Sequence, residues 1–223
     1  MGKYSFEDVK KLYYEMEQIK GKEAYRYVSD VLEMAKEPHR RDFLKRNPKG
    51  NHQQSWNNFK GNCFEKLLQH IITKSVEPFG LKVVNDKELK KKRLSEQLVA
   101  VKRNLVIDYG KYGMHLPDAD IVIYNPKKCR VIAVISCKTS LRERIAQTGY
   151  WKFKFWENEI TKHIQVYLVT ADTDNTLTKI EPFKKARAIV EIDLDGVYVL
   201  TKENLHESDK VKLFEHFIED FKQ

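Results

Sequence analysis

The stretch HLPDADIVIYNPKKCRVIAVISCKTSLRER, residues 115–144, contains the strongest structural pattern in the chain. Two of its segments, Ile121 to Tyr124 and Val131 to Ile135, consist largely of β-branched residues, which favour strands. The Asn-Pro-Lys sequence at 125–127, between the two segments, is typical of a turn. The stretch therefore predicts a β-hairpin.

Polar residues flank both predicted strands. Asp118 and Asp120 precede the first strand, and Ser136 and Lys138 follow the second. Strand side chains alternate between the two faces, so the two acids would share a face if the first strand extended through them. Carboxylate oxygens suit hard ions such as Mg²⁺, and an amine can orient water or stabilise developing negative charge. The pattern permits metal-assisted hydrolysis of a phosphodiester, although each residue alone is also common at turns and strand edges.

Composition points to a globular protein that suits a polyanionic partner. The chain has 223 residues, of which 41% are hydrophobic, enough for one large domain or a core with an added subdomain. Its formal net charge of +9 favours a polyanionic partner, the alternative being a merely soluble basic protein. The spacing of Cys63, Cys129 and Cys137 fits neither a disulfide framework nor a zinc site. With no apolar run long enough to span a bilayer and no secretory segment, we expect a cytoplasmic protein without membrane contact.

The first quarter of the chain predicts helices followed by a linker. Apolar residues recur at intervals of three and four from Phe6 to about Lys36, with Gly21 separating two helices. Pro, Gly and polar residues between Glu37 and Asn58 predict a loop. We therefore expect an N-terminal helical subdomain at residues 1–54 and a catalytic core at 55–223.

The core is predicted to alternate strands and helices. Ser55 to Val76 forms the clearest helical stripe, ended by Pro78 and Gly80. The further predicted elements are a strand at 81–84, a basic helix at 86–101, a strand at 105–108, the hairpin, a helix at 141–156, a strand at 163–170, a second hairpin at 188–192 and 197–200, and a helix at 211–221. This order predicts an α/β fold with a mixed sheet flanked by helices.

The hairpin and its flanking residues resemble the PD-(D/E)xK nuclease superfamily, and type II restriction endonucleases in particular. The matching residues are Pro117-Asp118, the two strands, and Ser136-Cys137-Lys138. The resemblance implies a restriction-endonuclease-like core, Mg²⁺ as cofactor, Asp118 as a metal ligand and Lys138 as the residue that closes the site. It also implies that the backbone carbonyl of Cys137 binds metal, with Asp120 as a second candidate ligand.

The chain departs from this family pattern at Ser136, where most members have Asp or Glu. Some restriction enzymes of the superfamily carry Ser or Thr there and recruit a displaced Glu from the following helix. The family's interval after the lysine falls near Lys152, so Glu157 does not reproduce it, and we prefer Glu143 as the substitute. The alternative for Glu143 is an exposed helix acid paired with neighbouring arginines.

A second match lies upstream, in Lys60-Gly61-Asn62-Cys63-Phe64-Glu65. This run resembles the first core helix of the superfamily, in which a glycine precedes a glutamate that faces the metal site. The resemblance makes Glu65 a candidate ligand, or a residue that holds a metal-bound water. A surface acid on a helix is the alternative.

Basic residues around the predicted site suit DNA binding. Residues 139–144 are similar to the run that follows the catalytic lysine in a subset of restriction endonucleases, where Arg142 and Arg144 would contact phosphates or read guanine. Lys91, Lys92 and Arg93 in the basic helix are further candidates for phosphate contacts. The aromatic residues of 150–156 either stack on bases or belong to the core.

The sequence thus predicts a type II restriction endonuclease that cuts both strands of double-stranded DNA with Mg²⁺. A homodimer is expected, because two active sites suit two strands and palindromic sites. A repair or junction-resolving nuclease of the same superfamily is one alternative. A non-catalytic DNA-binding protein on a degenerate nuclease fold is another, which Ser136 keeps open.

Overall fold

A six-stranded mixed sheet forms the centre of the computed structural model, which describes residues 3–141, 145–179, 181–182 and 184–220. In order across the sheet, its strands are β1 (Lys82–Val84), β4 (Ile121–Asn125), β5 (Arg130–Lys138), β6 (Gln165–Thr170), β7 (Gly196–Val199) and β8 (Val211–Leu213). A separate ribbon pairs β2 (Ile107–Asp108) with β3 (Met114–His115). Strand β4 is antiparallel to β1 and β5, which confirms the predicted hairpin, and β5 to β8 run parallel.

Helices cover both faces of this sheet. They are α1 (Phe6–Lys20), α2 (Val28–Arg46), α3 (His52–Val76), α4 (Asp86–Leu89), α5 (Glu96–Arg103), α6 (Ile145–Trp156), α7 (Lys185–Asp193) and α8 (Phe217–Asp220). A 3₁₀ helix, Gly21–Tyr27, joins α1 to α2 at the predicted break. No helix in the described ranges has the length and apolarity needed to cross a membrane.

Strand β5 divides the core into two apolar clusters. Its near-continuous apolar sequence is typical of a strand buried on both faces. Ile135 and Cys137 belong to the cluster that contains α3, whereas Val134 belongs to the cluster that contains α6. Because β5, β6 and β7 are parallel, their carboxyl ends lie at one edge of the sheet, and Lys138 ends β5 at that edge.

The N-terminal helices share their core with the sheet. Val9 of α1 and Val31 of α2 lie in the same cluster as Ile135 of β5. The predicted boundary after residue 54 falls inside α3. The division into segments 1–54 and 55–223 stays a prediction.

The prediction of a loop between Glu37 and Asn58 was wrong, because α2 continues to Arg46 and α3 begins at His52. Ion pairs one helical turn apart, Glu37 with Arg41 and Asp42 with Arg46, support this part of α2. Such pairs contribute only a few tenths of a kcal/mol each, so the packing of the buried face of α2, which includes Ala35 and His39 on either side of Pro38, is the larger stabilising contribution.

Three other predicted elements also differ. The basic helix at 86–101 is two short helices, α4 and α5, with residues 90–95 between them. The apolar run at 188–192, predicted as a strand, is part of α7, where Arg187 and Val190 are buried three residues apart on one helical face. The C-terminal segment begins with strand β8, paired with β7 through Val197 and Val211, rather than with a helix.

Candidate active site

The two acids of the motif precede β4 instead of lying on it. The Ala119 N–H donates to the Pro117 carbonyl at 3.0 Å, which forms a tight turn with Asp118 at its apex. The Asp118 side chain is 62% exposed, compared with 21% for Asp120. Since the strand begins at Ile121, strand alternation does not bring the two carboxylates to one face.

Asp120 and Lys138 form the centre of the candidate site. Oδ2 of Asp120 accepts hydrogen bonds from Nζ of Lys138 at 2.8 Å and from the backbone N–H of Cys137 at 2.6 Å. The hairpin produces this contact, because pairing of Ile121 with Ile135 brings the start of β4 to the end of β5. Both side chains are mostly removed from solvent, so the charge-assisted hydrogen bonds are weakly screened.

Asp118 contacts a different set of residues. It accepts a hydrogen bond from Nε2 of Gln147, on α6, at 3.3 Å. Nζ of Lys90 lies 3.6 Å from its other oxygen, and the pKa of Lys90 is raised first by the hydrogen bond to Asp86 and further by Asp118. Sequence reasoning missed Gln147 and Lys90, because neither belongs to a motif and both reach Asp118 only through packing.

Glu65 lies at the border of the site. Its carboxylate is 3.2 Å from Nζ of Lys87, which also donates to the side chain of Asn62. Burial raises the pKa of the Cys137 thiol; Asp120 and Glu65 add to this effect, and Lys138 opposes it. Glu65, Asp120 and Lys138 therefore act electrostatically on the same buried thiol.

Ser136, the hydroxyl-bearing residue of the motif, faces helix α6. Ser136 is buried and lines a cavity of about 10 Å³ together with Asp118, Thr148 and Trp151. This volume is on the scale of one water molecule. The indole Nε1 of Trp151 is buried and has no hydrogen-bond partner within the part of the chain that the structure describes.

No acid in the described part of α6 lines that cavity. Lys152, at the family's usual interval, pairs with Asp195 at 2.6 Å. Glu157 follows the carboxyl end of α6 and pairs with Lys154 at 2.6 Å. The preferred substitute Glu143 lies outside the described residues, as do Arg142 and Arg144.

The loop after β6 supports the segment next to Lys138. Asp172 is buried with φ +47°, and its carboxylate accepts backbone N–H groups of residues 176–178. The neighbouring Thr173 N–H donates to the carbonyl of Thr139 at 3.0 Å. Sequence reasoning missed this support, although Asp172 and Asp174 directly follow the predicted strand.

A basic groove begins one residue after Lys90, which contacts Asp118. Lys91, Lys92 and Arg93 occupy the segment between α4 and α5, and with Lys102 and Arg103 they line a groove of about 780 Å³. None of these five side chains forms an ion pair with another described residue. Sequence reasoning found the first three and missed the pair at the end of α5.

Known proteins resemble this chain in sequence. A family model described as BsaWI restriction endonuclease, type 2, matches residues 97–220, more than half of the chain. The protein MjaVIP of Methanocaldococcus jannaschii, which carries the name of a type II restriction enzyme, is 38% identical over 208 residues, covering 87% of this chain and 91% of its own. HpyAORF263P of Helicobacter pylori, similarly named, is 34% identical over 118 residues, covering 53% of this chain and 61% of its own.

A solved structure shows the same fold. The restriction endonuclease AgeI in complex with DNA superimposes with a TM-score of 0.55 at 12% identity, covering 97% of this chain and 90% of that one. This likeness confirms the predicted restriction-endonuclease-like α/β core. The match to the family model and the relative from M. jannaschii show that the chain belongs to the BsaWI family of type II restriction endonucleases.

Proposed function

We propose that this protein hydrolyses phosphodiester bonds in both strands of double-stranded DNA and that it uses Mg²⁺. The contact between Lys138 and Asp120 at the carboxyl end of β5, in a member of a restriction endonuclease family, carries the proposal. A carboxylate and an amine, held together and largely shielded from water, suit the hydrolysis of a negatively charged ester.

The oxygen donors at this edge of the sheet fit Mg²⁺. The ion binds proteins through one or two carboxylates and keeps several water ligands, so few protein oxygens are needed. Asp118 is exposed, and Asp120 uses only Oδ2 in its contacts with described residues, which leaves Oδ1 available. The described ranges contain no group of three or more His, Cys, Asp or Glu residues that could hold a metal, so the proposed site depends on fewer carboxylates together with a backbone carbonyl and water.

Asp118, Asp120 and the carbonyl of Cys137 are the proposed protein ligands. Bound Mg²⁺ supplies charge stabilisation at the phosphate and lowers the pKa of water. Lys138, held by Asp120, directs an N–H group towards the attacking water or a phosphate oxygen. Glu65, held by Lys87, is proposed as a further ligand or as the acceptor that orients a water.

The basic groove is the proposed path of the DNA backbone. Its five cations form no ion pairs with described residues, so they can bind phosphates without first giving up an acidic partner. Such contacts position a duplex without reading its sequence. Arg142 and Arg144 remain the candidates for base recognition.

A plasmid cleavage assay tests this function. Purified protein is incubated with plasmid and phage DNA and Mg²⁺, with Lys138→Ala protein prepared in parallel to exclude contaminating nucleases. Discrete fragments from the wild type alone support the proposal, and loss of cleavage in a chelator supports the metal requirement. Intact DNA across several divalent metals would overturn the enzymatic proposal.

A non-catalytic DNA-binding role is the second candidate, favoured by Ser136 in place of an acid. Intact plasmid together with DNA binding would support it. Nicking or smearing without discrete fragments would favour a repair or junction-resolving nuclease. A DNA methyltransferase encoded by a neighbouring gene would place the protein in a restriction-modification system.

A further inference from the structure

The ribbon of β2 and β3 contains an exposed turn that the proposed chemistry does not use. Residues 109–115 comprise this turn and β3, and we call them the ribbon tip. Within it Tyr112 is 72% exposed and Met114 is 64% exposed, and Lys111 is exposed as well. Two large apolar side chains that lie this close together in sequence and this far out of the core indicate an interaction surface.

Hydrogen bonds hold the ribbon tip in one shape. The N–H of Gly110 donates to the side chain of Asp108 at 2.8 Å, and the N–H of Gly113 donates to the carbonyl of Gly110 at 2.9 Å. Nε2 of His115 lies 2.8 Å from the carbonyl oxygen of Tyr112. Both glycines have a positive φ, +62° and +84°, which other residues rarely adopt. The tip is therefore preorganised, so that holding it in a complex costs little conformational entropy.

The ribbon tip is anchored next to the candidate active site. The hydroxyls of Tyr109 and Tyr150 lie 3.0 Å apart, which links the tip to α6. The same helix carries Gln147, whose amide contacts Asp118. Asp118 follows His115 by only three residues, so their Cα atoms are at most about 11 Å apart. The tip therefore has a fixed position close to a proposed metal ligand.

The ribbon tip also borders the basic groove. Met114 lines that groove together with its five cations. Phosphates bound by those cations would lie beside the tip. Because phosphate backbones border each groove of a duplex, DNA that follows the basic groove presents its base edges to the tip.

The width of the ribbon favours the major groove of the duplex over the minor groove. Two paired strands lie about 4.8 Å apart between their backbones, and their side chains widen the ribbon further. The major groove of B-DNA is about 12 Å wide and admits a two-stranded ribbon, whereas the minor groove is only about 6 Å wide. A ribbon such as β2 and β3 therefore fits the major groove.

The side chains of the ribbon tip suit base edges. Nζ of Lys111 lies 5.1 Å from the ring centre of Tyr112, and Lys111 forms no ion pair with another described residue. Lysine donates to O6 and N7 of guanine, and apolar side chains contact the methyl group of thymine. A cation at the tip, beside the five in the basic groove, favours a polyanion and repels a second copy of a chain of net charge +9.

We propose that the ribbon tip enters the major groove of the bound DNA, where Lys111, Tyr112 and Met114 contact base edges. This inference rests on the proposed binding of double-stranded DNA. It assigns part of the sequence specificity to a segment separate from Arg142 and Arg144. Because the basic groove supplies the phosphate contacts, the tip should contribute to discrimination between sequences rather than to general affinity.

A selection experiment tests the proposal without requiring cleavage. Wild type, Tyr112→Ala/Met114→Ala and the matched control Tyr14→Ala/Met34→Ala each select duplexes from a random-sequence library without divalent metal. The control removes the same types of side chain from α1 and α2, where Tyr14 is 37% exposed and Met34 is 51% exposed. Fluorescence anisotropy then measures the affinity of each protein for the duplex that wild type prefers and for a scrambled duplex. A thermal melt shows that each variant is folded, and sedimentation velocity compares the assembly of each variant with that of wild type.

We expect Tyr112→Ala/Met114→Ala to lose at least about tenfold in affinity for the preferred duplex and less than about threefold for the scrambled one, because base contacts carry the specificity. Its selected sequences should lose preference at one or more base pairs that wild type and control both specify. Equal losses on both duplexes, an unchanged base preference, or a wild type that selects no sequence would overturn the proposal. A change in sedimentation that accompanies the loss would also overturn it, because the tip would then be a protein contact.

Plasmid cleavage with Mg²⁺ separates this proposal from the proposed function. If both hold, wild type and control give the same discrete fragments, and Tyr112→Ala/Met114→Ala cuts those sites at least about tenfold more slowly or cuts additional sites. A changed base preference in binding, with no cleavage by wild type, would support the ribbon tip and contradict the function. Discrete fragments together with an unchanged base preference would support the function and contradict the ribbon tip.

Discussion

Nζ of Lys138 lies 2.8 Å from Oδ2 of Asp120, and the same oxygen accepts the backbone N–H of Cys137. One carboxylate oxygen therefore fixes both the amine and the backbone at the end of β5. Removal of either side chain releases the other, so the two residues are expected to act as a unit.

Lys138→Met and Asp120→Asn are each expected to lower the rate of DNA cleavage by at least about 100-fold, because the charge facing the phosphate is lost or misplaced. DNA affinity should change only a few-fold, since positioning contacts come from other cations. The double variant should be little slower than either single one. Single-turnover cleavage and mobility-shift assays measure both quantities.

Lys162→Met is the control for this experiment, because Lys162 forms an exposed ion pair with Glu159 away from the motif. It should cleave at the wild-type rate. Full activity in Asp120→Asn would show that the centre is misplaced.

Gln147→Ala is expected to raise the Mg²⁺ concentration needed for half-maximal cleavage by about tenfold, because Gln147 orients the exposed Asp118 carboxylate. The maximal rate at saturating Mg²⁺ should fall less. Titration of Mg²⁺ under single-turnover conditions separates the two effects. The control is Gln53→Ala, which removes an exposed amide paired with Asn57 on α3 and should leave the Mg²⁺ dependence unchanged. If Gln147→Ala also left the Mg²⁺ dependence unchanged, the positioning role of Gln147 would be refuted.

The hairpin and the end of β5 were predictable because their patterns are local. A turn between two β-branched runs specifies β4 and β5, and the register then brings Asp120 to Lys138. The contacts of Asp118 were not predictable, since the turn at Pro117 to Ala119 breaks strand alternation and tertiary packing brings Gln147 and Lys90 to it.

Elements whose hydrophobic pattern did not distinguish a strand from a helix were predicted less well. The run at 188–192 is short and apolar, and such runs do not distinguish a strand from a buried helix by composition alone. The structure resolves it as α7, because Arg187 on its buried face bonds to the carbonyls of Leu177 and His206. Those partners are distant in sequence, so no local pattern could indicate them.

Replacement of Lys91, Lys92 and Arg93 together by Ala is expected to weaken DNA binding uniformly across sequences. If each cation neutralises one phosphate, the slope of log affinity against log salt concentration should become shallower by about 3. Fluorescence anisotropy over a range of salt concentrations gives this slope. The charge-matched control replaces Lys11, Lys45 and Lys49 by Ala; these lysines are exposed on or next to the N-terminal helices. If both triple variants reduced the slope equally, a specific role for the basic groove would be contradicted.

The contact between Arg26 and Glu215 predicts a pH-dependent contribution to stability. Oε2 of Glu215 lies 2.7 Å from the guanidinium of Arg26 and also accepts the hydroxyl of Tyr25, linking the N-terminal helices to the segment after β8. The Arg26 hydrogen bond is the largest of the effects that lower the pKa of Glu215. Because the folded pKa lies below the unfolded value of about 4.3, the stabilisation is present above that pH and is lost as pH falls through the folded pKa.

Glu215→Gln should therefore lower the free energy of unfolding by about 0.5 kcal/mol near neutral pH, a modest effect because the pair is partly exposed. The difference from wild type should shrink towards zero as pH falls through the folded pKa of Glu215, because the wild-type carboxylate is then also protonated. His216 lies 3.9 Å from Glu215, and its pKa is raised, first by the hydrogen bond to Glu219, so the upper value is measured at a pH above the titration of this imidazole. Urea denaturation at each pH measures the difference. The control is Glu23→Gln, because Glu23 is an exposed acid in the same 3₁₀ segment as Arg26, and this variant should show no comparable pH dependence. A difference that stays constant as pH falls through the titration of Glu215 would mean that the effect of Glu215 is packing rather than charge.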